Sequence, residues 1–248
     1  ISSINPSDGQ AFMRDRTKHY KQALYDHLKV SVLTLALRPG DDIDEAVFAE
    51  TFGLSRTPLR EVLRELAGEG YLELRAGRGA RVTEMSYTTL RDFFLAAPMI
   101  YGAILRLAAQ NATAEQIKSL KAAQSKFKKS LRSGSAADRT LANNQFHEIT
   151  GEMAGNIFLL AAFNRLLIDH ARIGMTFYRP QNSQMADNLS AASSHHDDII
   201  SAIETQNDDA AAQLAEAHWN LSRNQIELFV MPSALDIALG TALQQTSA

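Results

Sequence analysis

The chain has 248 residues, 45% of them hydrophobic, with a formal net charge of −3 and no cysteine. That length favours two cores over one; the missing cysteine excludes disulfides, thiolate zinc fingers, iron–sulfur clusters and a thiol nucleophile, and the near-balanced charge leaves any nucleic-acid reading to local pattern. No uninterrupted apolar run approaches the roughly 20 residues of a membrane span, and the leading ISSINPSDGQ lacks an apolar signal core, so a soluble, cytoplasmic protein with no membrane partner is expected.

Residues 1–17 are polar and carry a proline and a glycine, which reads as a disordered arm. From Lys18 to Leu37, the residues Leu24, Leu28, Val32, Leu35 and Leu37 recur at helical spacing until Arg38-Pro39-Gly40 breaks the pattern. Asp41, Asp42 and Asp44 before it and Gly53 after it bound a short second helix, with Val47, Phe48 and Phe52 as its buried face. After the turn Gly53-Leu54-Ser55, a third helix places Leu59, Val62, Leu63 and Leu66 at i, i+3, i+4 and i+7. Pro58 falls in its first turn, where a missing N–H costs nothing, and Ser55 or Thr57 can cap the freed amides. The period then changes to two: Leu72 and Leu74 alternate with Glu73 and Arg75, Ala76-Gly77-Arg78-Gly79-Ala80 makes a turn, and Arg81-Val82-Thr83 returns. Helix-turn-helix followed by a hairpin is a winged helix, spanning residues 18–85.

From Tyr87 the pattern is helical almost to the end, broken near Asn111, Gly134, Gly155, Pro180, Asn207 and Pro232. Residues 86–232 therefore read as a helical domain of six main helices, with a tail helix over 233–248. The fold class is mainly α: an N-terminal winged helix-turn-helix of three helices plus a β-hairpin, and a C-terminal all-helical bundle of six to seven helices.

Arg56, Arg60 and Arg64 form a stripe on the third helix away from its Leu/Val face, with Thr57 beside them. Helix N-terminal amides can hold a phosphate, and arginine's planar fork matches guanine O6 and N7 in the major groove. The competing reading pairs these arginines with Glu61, Glu65 and Glu69, and for Arg64 the two readings stay balanced. In the wing, Gly77 and Gly79 allow close backbone approach to a duplex, and Arg78 can reach phosphate or the minor groove. In the second domain Asn143 and His147 share a helix face, while His196 and His218 lie on two later helices, with His195 directly before His196 and His170 as a fifth histidine. Such residues can hold a metal from several sides, or can equally be hydrogen-bonded core histidines.

The strings RPG, SRTPLREVLRELAGEGYLEL and GRGARV resemble the DNA-binding domain of the GntR family of bacterial transcriptional regulators, over about residues 18–85. The pattern N-x-x-F-H, Gly155-Asn156, HDDIISAI and A-x-x-x-H-W resembles the FCD-type ligand-binding domain of the FadR subfamily. The resemblance implies homodimers bound to double-stranded, palindromic operator DNA through Arg56, Arg60 and the wing. It also implies a divalent metal, zinc or nickel, held by Asn143, His147, His196 and His218. Ala46 stands where the fatty-acid-responsive member carries a DNA-contacting arginine, and Ala97 and Tyr101 stand where many relatives carry an Arg and a Glu, so an effector carboxylate anchored there loses its support. Pro98 is expected to kink or interrupt that helix.

Phe94, Met99, Tyr101, Arg172, Tyr178 and His195 are candidate effector-pocket residues, each with core packing as its competing role. The resulting expectation is a sequence-specific DNA-binding regulator, in the sense of a repressor, modulated by a small metabolite such as an organic acid, by a divalent metal, or by both. A purely structural metal is one alternative. The other is a metal-dependent enzyme with Glu148 or Asp197 near the histidines, although neither has a motif-defined role as a base.

Overall fold

The computed structural model describes residues 6–180 and 182–230. The expected tail helix over 233–248 and residues 1–5 lie outside them. The first helix, α1 (Pro6–Leu33), takes in residues 6–17, so that stretch is helix rather than arm. It ends at Leu33, short of Leu37, with Leu35 in a left-handed turn.

α2 (Glu45–Thr51) is capped by Asp44, whose Oδ1 accepts the Ala46 and Val47 amides at 3.0 and 3.1 Å. Its expected buried face is smaller than periodicity suggested. Phe48 and Phe52 pack against the domain core, but Val47 is 54% exposed, because so short a helix meets the core along one edge only. A tight turn with Gly53 at φ 61° leads into α3 (Arg56–Glu69), which buries Leu59, Val62, Leu63 and Leu66 as its spacing requires. Gly70, at φ 94°, closes α3 in the left-handed C-terminal position that favours glycine.

β1 (Leu72–Arg75) and β2 (Gly79–Val82) pair antiparallel, Leu72 opposite Val82, with Gly77 and Gly79 both at positive φ in the turn. Leu72 is buried, but Leu74, two residues on and therefore on the same face, is 54% exposed, so the period-two pattern holds at the foot of the wing and fails toward its tip, where the two-stranded hairpin runs past the domain core. Asp42 bridges to Arg81, widening the wing's base toward α2.

Six helices follow among the described residues: α4 (Tyr87–Asn111), α5 (Ala114–Ser133), α6 (Ala136–Ala154), α7 (Ile157–Phe177), α8 (Ser183–Glu204) and α9 (Asp208–Val230). Their ends fall at the sequence breaks, with side-chain caps from Ser86, Thr113, Ser135, Asn156 and Asn182. Arg139 donates to Ser130 O, Leu131 O and Tyr178 O, tying together the C-terminal ends of α5 and α7. Pro98 does not interrupt α4, which runs unbroken from Tyr87 to Asn111. α4 packs against α6, α7, α8 and α9, and these contacts hold the helix through the lost backbone bond. By length and mean hydropathy (1.4) α4 reaches what a membrane span needs, yet it buries Phe93, Ala97, Tyr101, Ile104, Leu105, Ala108 and Ala109 in the bundle's largest apolar cluster.

The two domains are joined through α7. Ile168 and Ala171 pack into the DNA-binding domain's apolar cluster, and Lys29 of α1 pairs with Glu148 of α6 at 2.9 Å. Arg172, with no exposed side-chain surface, donates to Thr83 O (3.1 Å), Thr83 Oγ1 (3.0 Å) and Asp169 Oδ1 (3.2 Å). Thr83 Oγ1 in turn donates to the Gly70 and Tyr71 carbonyls, so α7 is pinned to the C-terminal end of α3 and the foot of the wing.

Candidate functional site

Two groups of residues carry chemistry, one in each domain. On the first, Arg56, Thr57, Arg60 and Arg64 all project exposed from α3, and Gly77 and Arg78 are exposed at the wing tip with Gly79 half-buried beneath them. Ser55 occupies the N-cap position with extended backbone, but its hydroxyl makes no cap bond, so the first-turn amides keep no side-chain partner. Glu61, the acid weighed against Arg64, is instead taken by Lys21 at 2.8 Å. Among the described residues, Arg56, Arg64 and Arg78 form no ion pair. Arg60 does: its Nε donates to Glu45 Oε2 at 3.1 Å. Sequence reading missed Glu45, which lies 15 residues away on another helix.

On the second, α6, α8 and α9 bring His147, His196 and His218 together, one ring nitrogen of each lying within 4.8 Å of the others. The four atoms Asn143 Oδ1, His147 Nε2, His196 Nε2 and His218 Nδ1 are buried with no hydrogen-bond partner among the described residues. Each such orphan costs on the order of 1–3 kcal/mol, and the three clustered imidazoles, with Asn143 one turn before His147 on α6, make a donor set that fits a divalent cation. Burial drives His218 down to about 3 and His147 and His196 well below the ordinary imidazole value, with neighbouring histidines adding to the shift. The rings are therefore neutral with free lone pairs. His196 is oriented from behind: its Nδ1 lies 3.0 Å from Gln124 Oε1, which calls for the proton on Nδ1 and leaves Nε2 to the cluster. Gln124 is itself held by donating to Ser193 O and Asp197 Oδ1. Phe146 stacks on the His196 ring at 3.8 Å.

His170 is buried beside the cluster, 5.0 Å from the His147 ring, but its Nδ1 meets Tyr101 OH at 2.5 Å. Burial alone brings it down to about 4. His195 is half-buried, its ring 5.9 Å from that of His218 and its Nδ1 without a partner.

The remaining pocket candidates divide. Tyr101 borders the cluster edge-on to His147 at 5.6 Å. Tyr178 packs on Phe127, whose ring meets His196 at 5.0 Å. Phe94 packs against Phe93 and Trp219 in the core. Two are misplaced: Met99 is 72% exposed, and Arg172 is spent on the Asp169–Thr83 pin between domains. Neither Glu148 nor Asp197 attends the histidines, since Glu148 pairs with Lys29 and Asp197 accepts from Gln124 and Lys128. A cleft of about 620 Å³ lies elsewhere, between the domains, lined by Lys29, Tyr71, Glu148 and Arg165 among others.

Comparison with known proteins agrees with the two-part architecture. The family of bacterial regulatory proteins called gntR matches residues 20–82, and the FCD domain family matches residues 98–221. The uncharacterized HTH-type transcriptional regulator YdhC of Bacillus subtilis is 24% identical over 210 residues, covering 84% of this chain and 92% of that one. A Paenarthrobacter nicotinovorans protein named "Probable D-xylose utilization operon transcriptional repressor" is 29% identical over 78% of this chain and 82% of its own. Among solved structures, Escherichia coli McbR/YncC superposes with a TM-score of 0.69 at 16% identity, over 85% of this chain and 97% of that one, which speaks for the fold.

Proposed function

The chain belongs to the GntR family of bacterial transcriptional regulators that carry a C-terminal FCD domain, and on that premise we propose that it is a metal-dependent repressor whose operator binding answers to a small organic acid. As a member of that family it is a regulator, not an enzyme. The observation that carries the finer reading is the convergence of His147, His196 and His218, each with a buried ring nitrogen left without a partner, together with the orphaned Oδ1 of Asn143 one turn before His147 on α6.

Three neutral imidazoles and one neutral amide bring no negative charge to the centre, so zinc or nickel bound there would keep its full charge and attract an anionic effector as a further ligand. The metal would supply Lewis acidity to hold a carboxylate. Gln124 fixes the His196 tautomer, and Tyr101 and His195 border the same space.

On the DNA side, a homodimer presents two α3 helices and two wings to a palindromic duplex. Arg56, Thr57, Arg60 and Arg64 face the major groove, while Gly77, Arg78 and Gly79 approach phosphate or the minor groove. An effector that prefers a different spacing of the two heads releases the operator. The repressor sense follows the relative named as one.

Elemental analysis of chelator-free, untagged protein, with thermal-shift titration of zinc and nickel, tests the centre. Bound metal at about one per chain and a rise in melting temperature are expected; no metal and no shift overturns it. Organic acids added to a gel shift on the protein's own promoter region then test the response.

A further inference from the structure

This inference rests on the reading that α3 reads DNA, and it concerns how one of its arginines is aimed. Arg60 is 56% exposed, yet it is tethered: its Nε donates to Glu45 Oε2 at 3.1 Å, while its two Nη groups make no hydrogen bond among the described residues. Glu45 is a firm anchor. It is the first residue of α2, directly after the Asp44 cap, and its side chain is 23% exposed. Its second oxygen, Oε1, lies against the wing, only 2.8 Å from where a Cβ would stand on Gly79. With φ at +77°, that position favours glycine twice over, by backbone and by space. One carboxylate thus binds the recognition helix to the start of α2 and abuts the wing, above a hollow of about 320 Å³ that Arg64 and Arg75 also line.

The chemistry of this tether bears on sequence selection. A guanidinium is a rigid plane with five N–H donors. Once Nε is held, the plane's orientation is set and the Nη fork remains as the reading edge. Guanine offers two acceptors, O6 and N7, to such a fork, whereas adenine places a donor, N6–H, where O6 would be. An untethered arginine rotates freely and meets any phosphate oxygen as readily as a base. The carboxylate also acts through its charge, since a negative group at the groove mouth repels phosphates and weakens binding to every sequence alike.

We propose that Glu45 is a specificity-determining, positioning residue: it holds Arg60 in the orientation that selects guanine and lowers the affinity for non-specific DNA.

Enrichment from a pool of random duplexes, with sequencing of the bound fraction, tests this using full-length wild type, Glu45→Ala, Glu45→Gln and Arg60→Ala. Wild type is expected to enrich a two-fold motif with guanine at a fixed position in each half-site, a preference that Arg60→Ala loses. Glu45→Ala should reduce that preference at least about tenfold, while its affinity for an unrelated duplex rises and the other motif positions persist. Glu45→Gln keeps an acceptor without the charge, so it should restore part of the guanine preference yet retain the raised non-specific affinity. A merely structural carboxylate would weaken all positions together and would not separate the two variants. If Glu45→Ala enriches the wild-type motif with its guanine preference intact, the proposal is overturned. If wild type itself enriches no motif, the DNA reading fails first, and the two failures are told apart by that arm.

Discussion

Replacing Arg172 by Met tests whether the buried pin between the domains holds the molecule together. The side chain is fully buried and makes three hydrogen bonds, two to Thr83 and one to Asp169, itself only 5% exposed. Burial pulls the Arg172 guanidinium below its ordinary value and Asp169 opposes that pull. Removing one partner of a buried ion pair costs about 3–5 kcal/mol. Asp169 would keep Arg165, whose Nη1 reaches its other oxygen at 2.9 Å, so the loss falls near the lower end, about 3 kcal/mol. At about 2–4 °C per kcal/mol for a chain of this size, Arg172→Met should lower the melting temperature by about 6–12 °C. Arg165→Met, removing a 40% exposed partner, should cost no more than about 1 kcal/mol. The double change Asp169→Leu with Arg172→Met should recover part of the loss, because an apolar pair leaves no stranded charge. Scanning calorimetry of wild type, the three single variants Arg172→Met, Arg165→Met and Asp169→Leu, and the double variant decides. Equal shifts for Arg172→Met and Arg165→Met, or a double variant whose loss is the sum of the singles, would refute the reasoning.

Three further outcomes follow from the same geometry. Asn143→Asp adds a negative charge to a neutral ligand set and should tighten zinc or nickel binding at least about tenfold, read by competition with a chromogenic chelator; weaker binding would count against Asn143 as a ligand. Gln124→Leu leaves all four ligands in place but frees the His196 ring, and should weaken metal binding about 10–100-fold in the same assay, whereas an unchanged affinity would show that Gln124 has no orienting role. In metal-free protein, the buried histidines bind protons in the unfolded chain near pH 6.5 but not in the folded one until about 4 for His170 and about 3 for His218. Their contribution is therefore complete above about pH 6.5 and is lost as pH falls toward those values, at up to about 1.4 kcal/mol per pH unit for each. Urea unfolding at a series of pH values measures this, and a flat profile between pH 7 and 5 would contradict neutral burial.

The local architecture was legible because it is written at short range. The four apolar residues of α3, the hairpin turn around Gly77 and Gly79, and the polar breaks between α4 and α9 are all patterns within a dozen residues, and the structure follows them. Asn143 and His147 could be placed on one helix face for the same reason. Where short-range rules met tertiary packing, packing decided. Pro98 lies inside an unbroken α4 because four neighbouring helices hold it, and Val47 faces solvent because α2 is too short to turn its whole apolar side to the core. Nothing local could say that Arg172 would be spent on Thr83, 89 residues away, rather than lining a pocket. Gln124 behind His196, 72 residues distant, and Glu45 beside Arg60 on another helix were equally silent, since only the fold brings such side chains within bonding distance. The sequence by itself determined which helices and strands form and which residue types each presents. The tertiary structure alone decided which buried donors and acceptors were left without partners, because that depends on what the fold packs against them.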